Sequence, residues 1–155
     1  MKRIILIICI FLISGCHFNE KQRISKIVEM DLSSCKIKVS WDTHGGFLGD
    51  GDYFVKMDCQ ELNDSSFSSW KKLPLSEELE KVLKMEMCYC DGCHNLYDNM
   101  ELDKIEKGYY LFIDRHSDSF DKYDETEINN RSSYNFSLAI YNSDLKEMYF
   151  YEMDT

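Results

Sequence analysis

The sequence has little proline, a deficit of basic residues and no apolar run long enough to cross a membrane. One proline and seven glycines exclude proline-rich and glycine-rich linker proteins. The longest apolar run, residues 4–13, has ten residues, whereas a membrane-spanning helix needs about 20. Acidic residues outnumber basic ones by 28 to 18. A surface of that charge repels phosphates, which excludes general nucleic-acid binding.

Apolar and aromatic residues are plentiful, at 44% and 14% of the 155 residues. This is enough for a hydrophobic core and too much for a disordered chain. The length is typical of one domain. Lys2 and Arg3 are the only charged residues among the first fifteen. The rest of the chain therefore holds 16 basic and 28 acidic residues, a formal charge of −12.

The first sixteen residues have the pattern of an export signal. A basic start precedes the short apolar run, which is typical of a secretory signal peptide. The run ends in Leu12-Ile13-Ser14-Gly15-Cys16. This stretch resembles the lipobox of bacterial lipoproteins, which implies transfer of a diacylglyceryl group to the Cys16 thiol and cleavage between Gly15 and Cys16. The alternative is an ordinary signal peptide with an incidental cysteine.

These features predict a signal peptide over residues 1–15, a lipid-anchored tether over 16–23 and a single domain over 24–155. Two acyl chains hold a protein stably on a membrane, where one chain does not. The expected location is therefore the extracytoplasmic face of the cell membrane. The membrane, reached through the lipid on Cys16, is the first expected partner.

Hydrophobic patterns in residues 24–155 predict an α+β domain with an antiparallel sheet of about five strands and one or two short helices. Residues 36–42 alternate, with Ile37, Val39 and Trp41 expected on one face. A glycine-rich connection over 45–51 leads to a second alternating stretch, which predicts a hairpin. Apolar residues between 24 and 32 have helical spacing and predict a short helix.

The second half of the chain carries the clearest helix signal and three more strands. Ser76 stands where an N-cap should be, followed by Glu77, Glu78 and an apolar stripe. The aromatic and β-branched run 109–113 predicts a buried strand. Residues 134–140 and 148–153 alternate on either side of a turn at 142–144, which predicts a closing hairpin.

Three stretches together resemble a group of small bacterial lipoproteins and related exported proteins without an assigned activity. They are the DTHGGFLGDG stretch at 42–51, KLPLS at 72–76, and residues 108–117. The aromatic end of the chain, closing in Asp154-Thr155, is similar as well. The resemblance covers residues 37–155 and implies a shared fold and an exported setting. It implies no activity.

The cysteine cluster Cys88, Cys90, Cys93 and His94 permits three interpretations. Cys90 to His94 matches C-x-x-C-H, the attachment signature of c-type haem, although the flanking segments read as strands rather than haem-wrapping helices. Three cysteines and one histidine can also close a tetrahedral zinc site or bind Cu(I), but structural zinc sites usually join two separate segments. The third interpretation is local disulfide bridging or free thiols, which we favour, so we predict no cofactor and no metal.

Disulfide chemistry is permitted in an exported chain. Maturation at Cys16 would leave five cysteines, of which one must stay unpaired. Cys35 and Cys59 flank the first hairpin near its open end, so they can face one another.

Two polar segments are candidate sites. Asp42, His44, Asp50 and Asp52 surround the glycines and can hold a divalent cation or a small polar ligand, or simply cap the backbone of a glycine loop. The second segment, 114–118, follows a buried strand, and a triad can be drawn from Ser117, His44 and Asp114. No nucleophile elbow accompanies Ser117, so a solvated acidic loop is the favoured interpretation.

The sequence thus predicts a lipid-anchored protein of the cell envelope that works as a non-enzymatic binding or interaction domain. Its protein or small-molecule ligand is not indicated. The alternative is an extracytoplasmic redox or metal-binding protein centred on Cys88, Cys90, Cys93 and His94.

Overall fold

The computed structural model describes residues 20–45, 49–86, 100–117 and 119–155. Within these residues, six strands form one antiparallel sheet in the order β1-β2-β6-β5-β4-β3. The strands are β1 (Lys36–Asp42), β2 (Gly51–Asp58), β3 (Lys71–Lys72), β4 (Gly108–Asp114), β5 (Asn135–Asn142) and β6 (Glu147–Asp154). The predicted α+β class is confirmed, with a sixth strand, β3, added to the expected five.

Two helices lie in the described part of the chain, α1 over residues 20–27 and α2 over Glu77–Glu86. The Ser76 hydroxyl accepts a hydrogen bond from the Leu79 N–H at 3.2 Å, as its predicted N-cap role requires. Residues 20–23, predicted to be part of the tether, lie in α1. Short 3-10 turns occur at Asp64–Phe67, Leu102–Lys104 and Ile128–Asn130.

The sheet carries a hydrophobic core on each face. The α1-side core packs α1 and the segment around Phe67 against Val55, Tyr141 and Phe150 of the sheet. Phe67 stacks on Tyr141 with ring centroids 4.2 Å apart. The α2-side core packs α2 and Ile128 against residues of β2, β4, β5 and β6. Because both faces are covered, strands β5 and β6 are buried along nearly their whole length.

A β-bulge in β1 changes which side chains share a face. Ile37 pairs with Met57, but the register shifts before Val39, which pairs with Lys56. Ile37 consequently packs on the α1-side core and Trp41 on the α2-side core, where its ring lies 5.5 Å from that of Phe54. The expectation that Ile37, Val39 and Trp41 lie on one face is therefore wrong, because the extra residue reverses the alternation.

A disulfide joins Cys35 and Cys59 at the open end of the β1–β2 hairpin. Both side chains are buried in the α1-side core. The predicted hairpin places the two cysteines opposite each other, with Cα atoms 4.3 Å apart. The bridge therefore fixes the segment that leads from α1 into the sheet.

Candidate functional site

Both candidate polar segments lie at one end of the sheet, which we call the polar end. The C-terminal residues of β1, β4 and β6 and the N-terminal residues of β2 and β5 meet there because neighbouring strands are antiparallel. In register, Gly51 pairs with Asp154, Asp154 with Asn135, and Phe136 with Asp114. Segments that are far apart in sequence are thus adjacent across this end.

His44 bridges two carboxylates at the polar end. Its Nδ1 lies 2.6 Å from Oδ1 of Asp42, and its Nε2 lies 3.0 Å from Oδ2 of Asp154. Oδ1 of Asp42 also accepts the backbone N–H of His44 at 2.9 Å. Both ring nitrogens can donate only when the imidazole is protonated, so this geometry favours the charged form.

Arg115 extends the cluster from the end of β4. Its guanidinium lies 3.0 Å from Oδ1 of Asp154 and donates to the Phe136 carbonyl at 3.1 Å. Asp154 therefore sits between two cationic groups, with one oxygen facing His44 and the other facing Arg115. The two candidate segments of the sequence are joined through this one carboxylate.

Gly51 permits the close approach that positions His44. A Cβ on Gly51 would lie 2.6 Å from both the Cα and the backbone nitrogen of His44, and its φ of +155° is one that other residues rarely adopt. Thr43 and Asp52 close the loop from either side, with the Thr43 N–H donating to the Asp52 carbonyl at 2.8 Å and the Asp52 N–H donating to the Thr43 hydroxyl at 2.8 Å. Gly51 is thus required because a side chain at this position would collide with the backbone of His44.

The four predicted loop ligands do not converge on one point. Asp52 lies on the α2 side of the sheet, where its Oδ1 accepts a hydrogen bond from the Tyr151 hydroxyl at 2.6 Å. His44, in contrast, contacts Asp42 and Asp154. Asp50 is exposed. Among the described residues, no group of three His, Cys, Asp or Glu side chains is arranged to hold a metal ion. The geometry favours the interpretation of these residues as supports of a glycine loop.

The second segment forms its own set of contacts. Asp114 is buried and its Oδ2 lies 2.5 Å from the guanidinium of Arg131, while its Oδ1 accepts the His116 N–H at 3.0 Å. The drawn triad of Ser117, His44 and Asp114 is not assembled, because His44 is held by two other carboxylates and Asp114 by Arg131. The segment therefore orders the turn after β4.

The charges around His44 shift two titrations. Partial burial alone would lower the pKa of His44, but hydrogen bonds and charges from Asp42 and Asp154 outweigh it, so the pKa of His44 is raised above its usual 6.5. Burial would raise the pKa of Asp42, but the backbone and ring N–H groups of His44 outweigh that effect and lower it.

We expect His44 to give the domain a pH-dependent stability. Because the pKa of His44 is raised in the folded state, its contribution to the free energy of unfolding is complete below the unfolded pKa of about 6.5 and is lost as pH rises through the folded pKa. Because the pKa of Asp42 is lowered in the folded state, its contribution is complete above its ordinary pKa of about 3.9 and is lost as pH falls through the folded pKa. The thermal unfolding temperatures of wild type and His44→Gln should therefore differ most between these two pH values and become equal at alkaline pH.

His116→Gln is the matched control for the pH dependence, since it removes a second histidine from the polar end without touching Asp42 or Asp154. A wild-type minus His44→Gln difference that stays constant from about pH 5 to about pH 9 would contradict the bridging role, because the titration window of about 6.5 and above lies within that range.

Sequence reasoning missed the partners that complete these contacts. The register between β2 and β6 brings Asp154 to His44, and the turn after Ile128–Asn130 brings Arg131 to Asp114, and neither contact has a local sequence signal. It also missed Glu125, whose carboxylate is buried. Its Oε1 accepts hydrogen bonds from the Lys71 ammonium at 2.8 Å and from the Tyr110 hydroxyl at 2.9 Å. A charged residue in an acidic loop gives no sequence signal that it will be buried.

An open groove of about 320 Å³ lies beside the polar end. Its lining includes three carboxylates and one guanidinium, with Phe120 fully exposed. The lining residues are Ser119, Phe120, Asp121, Asp124, Glu127, Asn130 and Arg131. The lining of the groove is acidic and open to solvent, whereas the pockets that bind small molecules are enclosed and mostly apolar.

The lipobox with Cys16, and the cluster Cys88, Cys90, Cys93 and His94, lie outside the described residues. Both predictions thus stand on the sequence alone. No helix within the described ranges is long and apolar enough to cross a membrane.

Comparison with protein-family models, with curated proteins and with solved structures found no match to this chain. The resemblance to small bacterial lipoproteins stays a prediction.

Proposed function

We propose that the protein is a lipoprotein of the bacterial cell envelope, anchored through a diacylglyceryl group on Cys16, whose folded domain binds a partner and catalyses no reaction. The observation that carries the anchor is the sequence Leu12-Ile13-Ser14-Gly15-Cys16 after a basic start and a short apolar run. Small residues before the cysteine suit a peptidase that must approach the backbone closely.

The disulfide supports an extracytoplasmic location. Cys35 and Cys59 are bonded and both are almost completely buried. Disulfides persist in oxidising compartments and are rare where thiols are kept reduced. A domain whose core includes such a bridge is suited to the space outside the cytoplasmic membrane, where the export signal would deliver it.

The contacts at the polar end disfavour a catalytic role for His44 and Asp114. His44 is occupied on both ring nitrogens, and Asp114 is occupied by Arg131. A general base must have a nitrogen or oxygen within reach of a substrate proton. Within the described ranges, Asp42, His44, Asp52 and Asp114 make contacts that stabilise loops, whereas Asp50 is exposed, so the contacts support a structural role for these four residues.

Metabolic labelling with a clickable fatty acid tests the anchor. We expect the wild-type chain to take up label and Cys16→Ala to take up none, because the thiol is the acceptor. Cys9→Ala is the matched control, since it removes a thiol from the same signal sequence and leaves the lipobox intact. Label on Cys16→Ala at the wild-type level would refute the proposal.

The alternative of a redox or metal protein rests on Cys88, Cys90, Cys93 and His94. Protein isolated from the envelope fraction should be colourless and free of stoichiometric zinc or copper under our proposal. A haem absorption band, or one metal ion per chain, would favour the alternative.

A further inference from the structure

The His44 ring joins the end of β1 to the end of β6, although these two strands are not neighbours in the sheet. Among the described strands, β1 pairs with β2 alone, and β2 lies between β1 and β6. His44 follows the last residue of β1 by two positions, and its Nε2 reaches Oδ2 of Asp154, the last residue of β6. Gly51 of β2 lets the backbone of His44 approach, because it has no side chain. We call this link across β2 the His44 tie.

The two contacts of the ring differ in strength and in reach. Nδ1 lies 2.6 Å from Oδ1 of Asp42, and the same oxygen accepts the backbone N–H of His44, so this contact is short and local. The contact of Nε2 with Asp154 is longer, at 3.0 Å, and joins segments 110 residues apart. Asp154 has a second cation, Arg115, at 3.0 Å from its Oδ1. Asp154 therefore keeps a compensating charge if the ring leaves.

Asp42 and Asp154 are the two charged groups that hold the proton on the ring. Together they raise the pKa of His44 above its usual 6.5, against the opposite effect of partial burial. The other charged groups on the elements around the ring face these carboxylates or point elsewhere, and they are Arg115 at the end of β4, Arg23 on α1, Asp50 before β2 and Asp52 on β2.

We propose that the His44 tie is a pH-sensitive switch: the protonated ring holds the end of β1 to Asp154, and the neutral ring keeps Asp42 and releases Asp154. A protonated imidazole donates from both nitrogens, whereas a neutral one has one N–H and one lone pair. The proton on Nε2 passes to water, which reaches the ring because 24% of the His44 side chain is exposed. The lone pair of Nε2 then faces a carboxylate oxygen, and two acceptors repel each other.

Release of the tie opens the end of an exposed edge strand without disturbing either core. Most residues of β1 are exposed, and segments with few buried contacts open locally at low cost. The hydrogen bonds between Thr43 and Asp52 continue the β1–β2 pairing beyond β1, so they should open more often once the tie is lost. An exported domain meets the pH of its surroundings, and its polar end would respond to that pH. The tie belongs to the folded domain and does not require the lipid on Cys16.

Nitrogen-15 NMR of the full chain with labelled histidine, held in a neutral detergent, tests which contact is lost. Long-range proton–nitrogen spectra identify the ring nitrogen that carries a proton. Between about pH 5 and about pH 9, we expect His44 to change from a ring protonated on both nitrogens to one protonated on Nδ1 alone. A neutral His44 with its proton on Nε2 would overturn the switch, because the contact with Asp154 would then be the one that is kept.

Amide hydrogen exchange measures the release itself. Protection factors, which are corrected for the direct effect of pH on exchange, should fall about five-fold for the Thr43 and Asp52 amides as pH rises through the folded pKa of His44. The Cys59 amide is the internal control, because it donates to the Lys146 carbonyl at 2.8 Å at the other end of the sheet. Its protection factor should not change over the same range.

Two variants assign the change to His44. In His44→Gln the protection factors of the Thr43 and Asp52 amides should not vary with pH, since glutamine does not titrate. His116→Gln, which removes the ring that contacts Ser133, should keep the pH dependence of the wild type. Protection factors of the wild type that stay constant through the His44 titration, or the same pH dependence in His44→Gln, would overturn the switch.

Discussion

Gly108→Ala is expected to destabilise the domain strongly, because the backbone of the neighbouring strand occupies the space that the added methyl group needs. Gly108 begins β4, and a Cβ at this position would lie 1.9 Å from the carbonyl oxygen of Tyr141 on β5. Backbone atoms of a buried strand cannot move aside as a flexible side chain can. Overpacking of this kind costs about 1–3 kcal/mol or more, and we place Gly108→Ala at the upper end, about 3 kcal/mol.

Chemical unfolding of Gly108→Ala and Gly45→Ala measures this effect. Gly45 is the control because a Cβ there would meet its nearest atom at 3.7 Å, an ordinary contact. We expect Gly45→Ala to change stability by less than about 1 kcal/mol. If Gly108→Ala is too unstable to purify while Gly45→Ala is obtained at the wild-type yield, the expectation is met. An unfolding midpoint of Gly108→Ala equal to that of wild type would contradict the close approach of β4 to β5.

Removal of the Cys35–Cys59 disulfide is the second large effect that we expect. The bridge closes a loop with a sequence separation of 24 residues. The chain-entropy model gives about 3.5 kcal/mol for a loop of that length. Cys35→Ala/Cys59→Ala should lose about this amount, and alanine avoids burying two unpaired hydroxyl groups in the α1-side core.

Reductant separates the effect of the bridge from that of the lost sulfur atoms. Adding a thiol reductant should shift the unfolding midpoint of the wild type toward that of the double variant. The midpoint of the double variant should change only slightly, since a local bridge among Cys88, Cys90 and Cys93 would contribute little. Cys88→Ser/Cys90→Ser/Cys93→Ser is the control, for which the sequence predicts only a slight loss, because short local loops contribute little. A wild-type midpoint unaffected by complete reduction would show that the bridge does not stabilise the fold.

The strands of the sheet could be predicted because they carry strong local signals. The alternating stretches at 36–42 and 134–140 form β1 and the main part of β5, and the Ser76 cap begins α2 where expected. Strand β3 was missed since two lysines carry no alternation. Two residues of one type cannot signal a strand whose existence depends on pairing with Tyr109 and Tyr110.

Other differences have a tertiary cause. The bulge after Ile37 sends Trp41 to the α2-side core, where it stacks on Phe54, and no local pattern specifies the extra residue. The predicted first helix begins later than α1 because the first turn of α1 is polar. Arg23 is nonetheless held there by Glu152 at 2.6 Å and by the ring of Tyr53. Both partners are distant from Arg23 along the chain, so no local pattern predicts these contacts.

The candidate site was predicted as two polar segments, linked only by a triad of Ser117, His44 and Asp114 that was not the favoured interpretation. The structure places both at the polar end and joins them through Asp154, which contacts His44 and Arg115. That carboxylate is the last residue of β6, in an aromatic hairpin, so only the register between β2 and β6 reveals its position. The residue types thus predicted which segments are polar, whereas the order and register of the strands determine which of these polar side chains contact one another.

Mass spectrometry of the N-terminal peptide from membrane-extracted protein measures the lipid anchor itself. We expect a chain that begins at Cys16, with a diacylglyceryl group on its sulfur, and we expect this species to be lost in Cys16→Ala. A membrane-extracted chain that begins at any other residue, or that begins at Cys16 without lipid, would contradict it.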